Sequence, residues 1–221
     1  MCNLYNLHKT RDAVGKLFKV SDNRMARFPE QLTMFRGREA PVVRIAPDGE
    51  RELVIMSWGF VFLQAGKSPR SVTNTRDDKM DSGFWRKSIE EHRCLVPVSS
   101  FAEPDDGKPV QWHWYGLVGD EPRPLFAFAG IWRKWKGPVK KDGPTVEIET
   151  YSFMTTAANA WTEAIHHDRL PVLLATTEDQ EAWLNGTPSE RKRLLNPFPP
   201  DRMREVQVGL EKLDLMNDQQ R

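Results

Sequence analysis

The stretch from Cys94 to Thr155 constrains the fold most tightly, because it reads as strand after strand and leaves no room for a long helix. Cys94–Val98 is a continuous apolar run broken by Pro97. Proline gives no N–H to a ladder, so this run is a buried strand with a bulge or an edge. Val110–Leu117 alternates with aromatics and Leu125–Trp132 is apolar with small residues, so the two are expected to pair in an antiparallel sheet. Lys134–Pro144 reads as a charged Gly/Pro loop and Thr145–Thr155 as a long strand. Eight tryptophans in 221 residues suit such a fold, since large aromatics fill cores and pleated, half-buried surfaces. One or two of them are candidates for an exposed platform on which bases stack.

The flanking elements are shorter. Arg11–Val20 reads as a helix, with Ala13, Val14, Leu17 and Phe18 on one face. A basic loop follows, punctuated by Pro29 and Pro41 and holding Arg24, Arg27, Arg36 and Arg38. Val42–Ile45 and Leu53–Met56 are strands around the turn Ala46-Pro47-Asp48-Gly49. Gly59, after Trp58, marks a sharp change of direction. A polar loop, Gln64–Arg76, holds Lys67, Arg70 and Arg76, and Ser82–His92 is expected to be helical. Later come a helical turn at Ala158–Ala164, a buried strand at Leu170–Ala175 and a helix at Thr177–Leu184 closed by Asn185-Gly186. A last strand near Glu205–Val208 precedes a polar tail, 210–221. The mix predicts a single α+β domain in which strands predominate.

Composition removes several function classes. Lys and Arg number 32 against 31 Asp and Glu, so a nucleic-acid partner would have to be held by a local patch. Two cysteines exclude a disulfide framework and a cysteine-rich zinc site, and suit a reducing cytosol. The opening MCNLYNLHKTRD lacks an apolar core of signal-peptide length, and no stretch approaches a membrane span. A soluble cytoplasmic protein with no membrane partner is expected.

Four polar features carry possible chemistry. Cys2 stands one bond from the initiator, and loss of Met1 would give it a free amine and a thiol on adjacent carbons. The amine can condense with an aldehyde and the thiol can close on the same carbon, giving a thiazolidine. With ordinary pKa values of roughly 8 and about 8.5, both groups need a neighbouring base near neutrality. The plain alternative is an accident of the translation start. Asn74, in Thr73-Asn74-Thr75-Arg76, is either a turn residue or a ligand. Glu103, in Ser99-Ser100-Phe101-Ala102-Glu103-Pro104, is either a solvated strand end or a carboxyl of raised pKa suited to proton transfer. His166 and His167, before Asp168-Arg169-Leu170-Pro171, are too close in sequence to share a helical face as a zinc pair. One of them is a general acid/base candidate, against a solvated polar turn.

Taken in order, Met1-Cys2, Trp58-Gly59, Asn74-Thr75-Arg76, Arg93-Cys94-Leu95-Val96-Pro97 with Phe101-Ala102-Glu103, Ala129-Gly130-Ile131-Trp132, Thr155-Thr156-Ala157-Ala158-Asn159 and His167-Asp168-Arg169-Leu170-Pro171 make a series. The series resembles the SRAP proteins, the SOS-response-associated peptidase or abasic-site processing family. The resemblance covers residues 2–208 and leaves 209–221 as a tail. It implies a pseudo-barrel of mixed and antiparallel strands with short peripheral helices. It also implies autoproteolytic removal of Met1, then a thiazolidine crosslink between Cys2 and the ring-opened aldehyde of an abasic site in single-stranded DNA. By the same resemblance Cys2 is the nucleophile, Asn74 hydrogen-bonds near it, and Glu103 and His167 are the acid/base groups. Arg76 would hold a phosphate, Trp58 and Arg169 would belong to the DNA channel, and Lys67 and Arg70 join the DNA-binding set. His167 is preferred over His166 because only it lies two residues before Arg169. No metal or organic cofactor is implied. A monomer that associates with the nucleoid on DNA damage is expected.

The sequence departs from the family in places. Asn3-Leu4 stands where Gly-Arg is usual, which removes a cation expected to contact DNA. Leu170 replaces a usual methionine, a volume-conserving change. Ala102 and Pro104 replace larger neighbours of the glutamate and are expected to widen the pocket. Two other readings remain at this stage. One is a cysteine-type peptidase acting on other proteins, and the other is a noncatalytic single-strand-binding module. Zinc-dependent deamination is disfavoured because no P-C-x-x-C segment exists.

Overall fold

In the computed structural model, which describes residues 2–29 and 31–216, five strands close on themselves. Arg51–Trp58 pairs with Glu39–Ile45, which pairs in turn with Arg93–Val98 and then Phe126–Gly137. Val146–Ala157 completes the ring, antiparallel to Phe126–Gly137 along eight residue pairs and parallel to Arg51–Trp58. Closure leaves this part of the sheet without exposed edges and gives it a filled interior. Three short strands extend it. Asn74–Arg76 and Arg169–Pro171 add to Val146–Ala157, and Leu173–Leu174 adds to Phe126–Gly137.

A second sheet of five strands lies against the barrel, in the order Met203–Gly209, Trp112–Leu117, Ser100–Pro104, Leu4–His8 and Gln31–Phe35. Its inner residues Tyr5, Met34, Phe101, Tyr115, Leu117 and Met203 join the barrel's Val96, Phe128, Tyr151 and Phe153 in one core. Burial of such side chains contributes roughly 1.5–3 kcal/mol each. A hairpin, Phe60–Phe62 with Arg70–Val72, projects beyond Trp58-Gly59. Helices at Arg11–Phe18, Arg86–Glu91, Ala160–Glu163, Thr177–Asn185 and Pro188–Leu194 lie at the periphery. The protein is a strand-rich α+β domain, and none of its described helices is long and apolar enough to cross a membrane.

The differences from the expected elements have physical causes. Trp112–Leu117 and Phe126–Gly137 do not pair; they belong to the two different sheets and meet face to face through Tyr115, Leu117, Phe126 and Phe128. Alternation in a sequence fixes the buried face of a strand but not its neighbour. The barrel strand that starts at Phe126 runs on to Gly137, because Trp135 pairs with Ile148 within the charged segment expected to be a loop. The helix expected from Ser82 begins only at Arg86, since Phe84 and Trp85 turn in to pack on Phe60. The single strand expected at Leu170–Ala175 divides at Val172, and its halves serve two different barrel strands. The segment after Gly209 is held to the sheet as far as residue 216. Asp214 is buried, bonded to Ser100 Oγ (2.6 Å) and to Arg123 Nε and Nη2 (2.7 Å each). The rest of the expected tail, 217–221, and Met1 lie outside the described residues.

Candidate active site

Cys2 leads into the central strand of a three-strand run. Leu4–His8 is flanked on one side by Ser100–Pro104, with Leu4 opposite Ala102, and on the other by Gln31–Phe35, with Leu4 opposite Phe35. Continuing the register brings Glu103 beside Asn3 on the first flank. The Cys2 side chain has no exposed surface and its Sγ is 3.5 Å from Leu4 O. Beneath it lies an aromatic floor. Tyr5 contacts Trp58 edge-on (5.2 Å) and Phe128 (5.8 Å), Trp58 stacks on Phe153 (5.3 Å), and the Tyr5 and Tyr151 hydroxyls share a 2.6 Å bond. Such a floor lowers the local dielectric and penalises charge. Burial and the Glu103 charge together push the Cys2 thiol well above its ordinary value.

Asn74 arrives from Asn74–Arg76, the strand read in the sequence as a loop. That strand is pinned by hydroxyls on the barrel strand beside it: Thr75 Oγ1 with Ser152 Oγ (2.9 Å), Ser152 Oγ to Thr73 O (3.0 Å) and Thr155 Oγ1 to Thr75 O (3.4 Å). Asn74 Nδ2 donates to the Cys2 carbonyl (2.9 Å) and to Thr73 Oγ1 (2.9 Å). Its Oδ1 is buried with no hydrogen-bond partner among the described residues, and so presents an acceptor beside Cys2.

Glu103 has no exposed surface, and burial, with a contribution from the Asp168 charge, raises its pKa to about 8. His167 Nδ1 lies 3.3 Å from Glu103 Oε2, and its Nε2 lies 2.7 Å from Pro104 O. A carbonyl only accepts, so Nε2 carries the proton. Nδ1 of the neutral ring is then an acceptor facing a carboxyl that is largely protonated near neutrality. Burial keeps the imidazole below its ordinary pKa. The loop is aimed by His166, whose backbone is left-handed (φ 62°) and whose side chain is exposed, while His167 N bonds Thr162 O (2.9 Å). Cys2, Asn74, Glu103 and His167 therefore converge from four separate segments.

The residues expected to touch DNA differ in exposure and in partners. Trp58 has no exposed surface; its indole donates to Thr73 O (3.0 Å), so it braces the Asn74 segment and offers no stacking face. Arg169 is buried, bonded to Asp77 and to the Thr155 carbonyl, and serves as an internal tie. Arg76 is partly exposed next to the site, but its guanidinium is held bidentately by Asp78 (2.9 and 2.8 Å). Lys67 and Arg70 are exposed on the projecting hairpin, where Arg70 lies over the Phe62 ring (4.8 Å). Sequence reasoning missed the acids that engage the arginines, although Asp77-Asp78 directly follows Arg76. It also missed Asp214, whose signal is an acid between Leu213 and Leu215.

The chain is 29% identical over 214 residues to the Bacillus subtilis protein named abasic site processing protein YoqW, covering 87% of this chain and 90% of that one. It is 27% identical over 234 residues to abasic site processing protein YoaM of the same organism, covering 95% and 91%. A crystal structure of a Bordetella bronchiseptica protein superposes with a TM-score of 0.70 at 19% identity, covering 91% of this chain and 97% of that one. One from Bacteroides thetaiotaomicron superposes with a TM-score of 0.69 at 23% identity, covering 94% and 90%. At these identities the two structures show the fold alone. The sequence model of the SOS response associated peptidase (SRAP) family matches residues 1–211, so the chain that brings Cys2, Asn74, Glu103 and His167 together belongs to that family.

Proposed function

We propose that the protein processes abasic sites in single-stranded DNA, capturing the sugar aldehyde through Cys2 once Met1 has been removed. The observation that carries this reading is the convergence of Cys2 with a buried carboxyl, an imidazole and an amide acceptor drawn from residues 74, 103 and 167. The names of the Bacillus relatives support the substrate class.

The chemistry follows from the environment. Hydrolysis of the Met1–Cys2 bond frees the Cys2 amine. Beside a fully buried Glu103, an ammonium–carboxylate pair is disfavoured relative to a neutral amine and a carboxylic acid. The proton therefore passes to Glu103 and the amine becomes nucleophilic. Abasic deoxyribose is mostly a closed hemiacetal; His167 and Glu103 exchange the protons that open it. The amine adds to the aldehyde carbon, Glu103 returns a proton to the departing hydroxyl, and one water leaves as the imine forms. The Cys2 thiol then adds across the C=N bond, its proton going to nitrogen, and closes the thiazolidine. Asn74 holds the Cys2 carbonyl, and its buried Oδ1 remains available as an acceptor beside it.

The experiment is incubation with a single-stranded oligonucleotide carrying one abasic site, followed by denaturing electrophoresis and intact-mass measurement. A denaturant-stable adduct, lost in Cys2→Ala, is expected on protein whose mass is short by one methionine. Hydrolysis of unrelated peptides with no DNA adduct would replace this reading with that of a general cysteine peptidase.

A further inference from the structure

The basic turn Arg36-Gly37-Arg38 takes no part in the chemistry above, yet it stands beside Cys2. Leu4 pairs with Phe35, the last residue of its strand, so Arg36 opens the turn on the side of Leu4 away from Ser100–Pro104. With paired strands about 5 Å apart and ~3.4 Å per residue along them, the Phe35 backbone lies about 8 Å from Cys2, and Arg36 follows it directly. The turn is rigid. Arg38 N bonds Phe35 O (3.1 Å), Gly37 adopts the left-handed conformation (φ 78°), and the backbone is tied to Trp58 in both directions. Those ties are Gly37 N to Trp58 O (2.9 Å) and Trp58 N to Arg38 O (2.8 Å), and Trp58 itself is immobilised in the core.

Both arginine side chains are exposed, and neither makes an ion pair or hydrogen bond among the described residues. Arg76 and Arg169 are different, since Asp78 and Asp77 hold their guanidinium groups. An abasic residue offers no base to read, so binding near it depends on phosphates, which guanidinium groups take up bidentately. Asn3 and Leu4 supply no cation at the mouth.

We infer that Arg36 and Arg38 grip the sugar–phosphate backbone of the strand whose damaged sugar reaches Cys2. The inference rests on the reading of Cys2 as the capture site, and it adds these two exposed arginines to the groups that would hold the strand.

The test uses the full chain, an unmodified single-stranded oligonucleotide and fluorescence anisotropy across a series of salt concentrations. Each phosphate contact on a single strand contributes about 0.7 to the slope of log K against log salt. Arg36→Gln/Arg38→Gln should lower that slope by about 1.4 and weaken binding roughly tenfold at 0.15 M salt. Arg24→Gln/Arg27→Gln removes equal charge from the same basic segment and should leave the slope in place. An unchanged slope in the first double variant, in a protein that still forms the Cys2 adduct, overturns the inference alone. An equal fall in both double variants also overturns it, since bulk charge would then explain the effect. Wild-type protein that neither binds the oligonucleotide nor forms an adduct would instead overturn the reading of Cys2 on which the inference stands.

Discussion

Glu103→Gln should make the protein more stable, by an amount that grows with pH. The carboxyl is buried in the fold and its pKa is raised from 4.5 to about 8. Below pH 4.5 it is protonated whether the chain is folded or not, and contributes no pH-dependent penalty. Between 4.5 and about 8 the unfolded chain releases the proton while the fold retains it, so native stability falls as pH rises. Each pH unit in that window costs ~1.36 kcal/mol, so the accumulated penalty approaches about 5 kcal/mol as an upper bound near pH 8. Glutamine keeps the shape and cannot ionise. Urea denaturation of both proteins at intervals from pH 4 to pH 8.5 should give midpoints that coincide at the acid end and separate steadily above pH 5, with the variant the more stable. The same variant should lose adduct formation, since glutamine accepts no proton from the Cys2 amine. A stability difference that is flat with pH, or one in which wild type gains at high pH, would refute the argument that Glu103 is held protonated by burial. That argument also underlies the proton transfer in the proposed mechanism.

Two further outcomes are expected. Asp214→Asn leaves the buried Arg123 guanidinium without its counter-charge and should cost about 3–5 kcal/mol in urea denaturation, whereas Asp214→Leu combined with Arg123→Met should recover most of it; equal losses in the two proteins would show that the ion pair is not the cause. Gly59→Ala should reduce both stability and adduct yield, because Gly59 has φ 119° and an added Cβ would fall 1.8 Å from Ser71 Oγ, displacing the hairpin beside the Asn74 segment; wild-type melting and yield would contradict this.

The linear sequence was sufficient for the strand-rich class and most of the buried faces, and it singled out the four residues that folding brings together around Cys2. Apolar runs such as Cys94–Val98 carry their burial in their composition, whereas residue type alone left Asn74, Glu103 and His167 open and only the ordered series of motifs, through its resemblance to a family, implied their roles. Tertiary structure decided pairing, counter-charges and exposure. The sequence contains nothing to say that Trp112–Leu117 faces Phe126–Gly137 across the core without hydrogen-bonding to it, because either arrangement buries the same alternate residues. Nor does it separate Arg169, tied inward to Asp77, from Arg36 and Arg38, which stand exposed beside Cys2. An arginine has the same charge in either place, and whether it meets a carboxylate or solvent depends on which distant strand end folding brings alongside it.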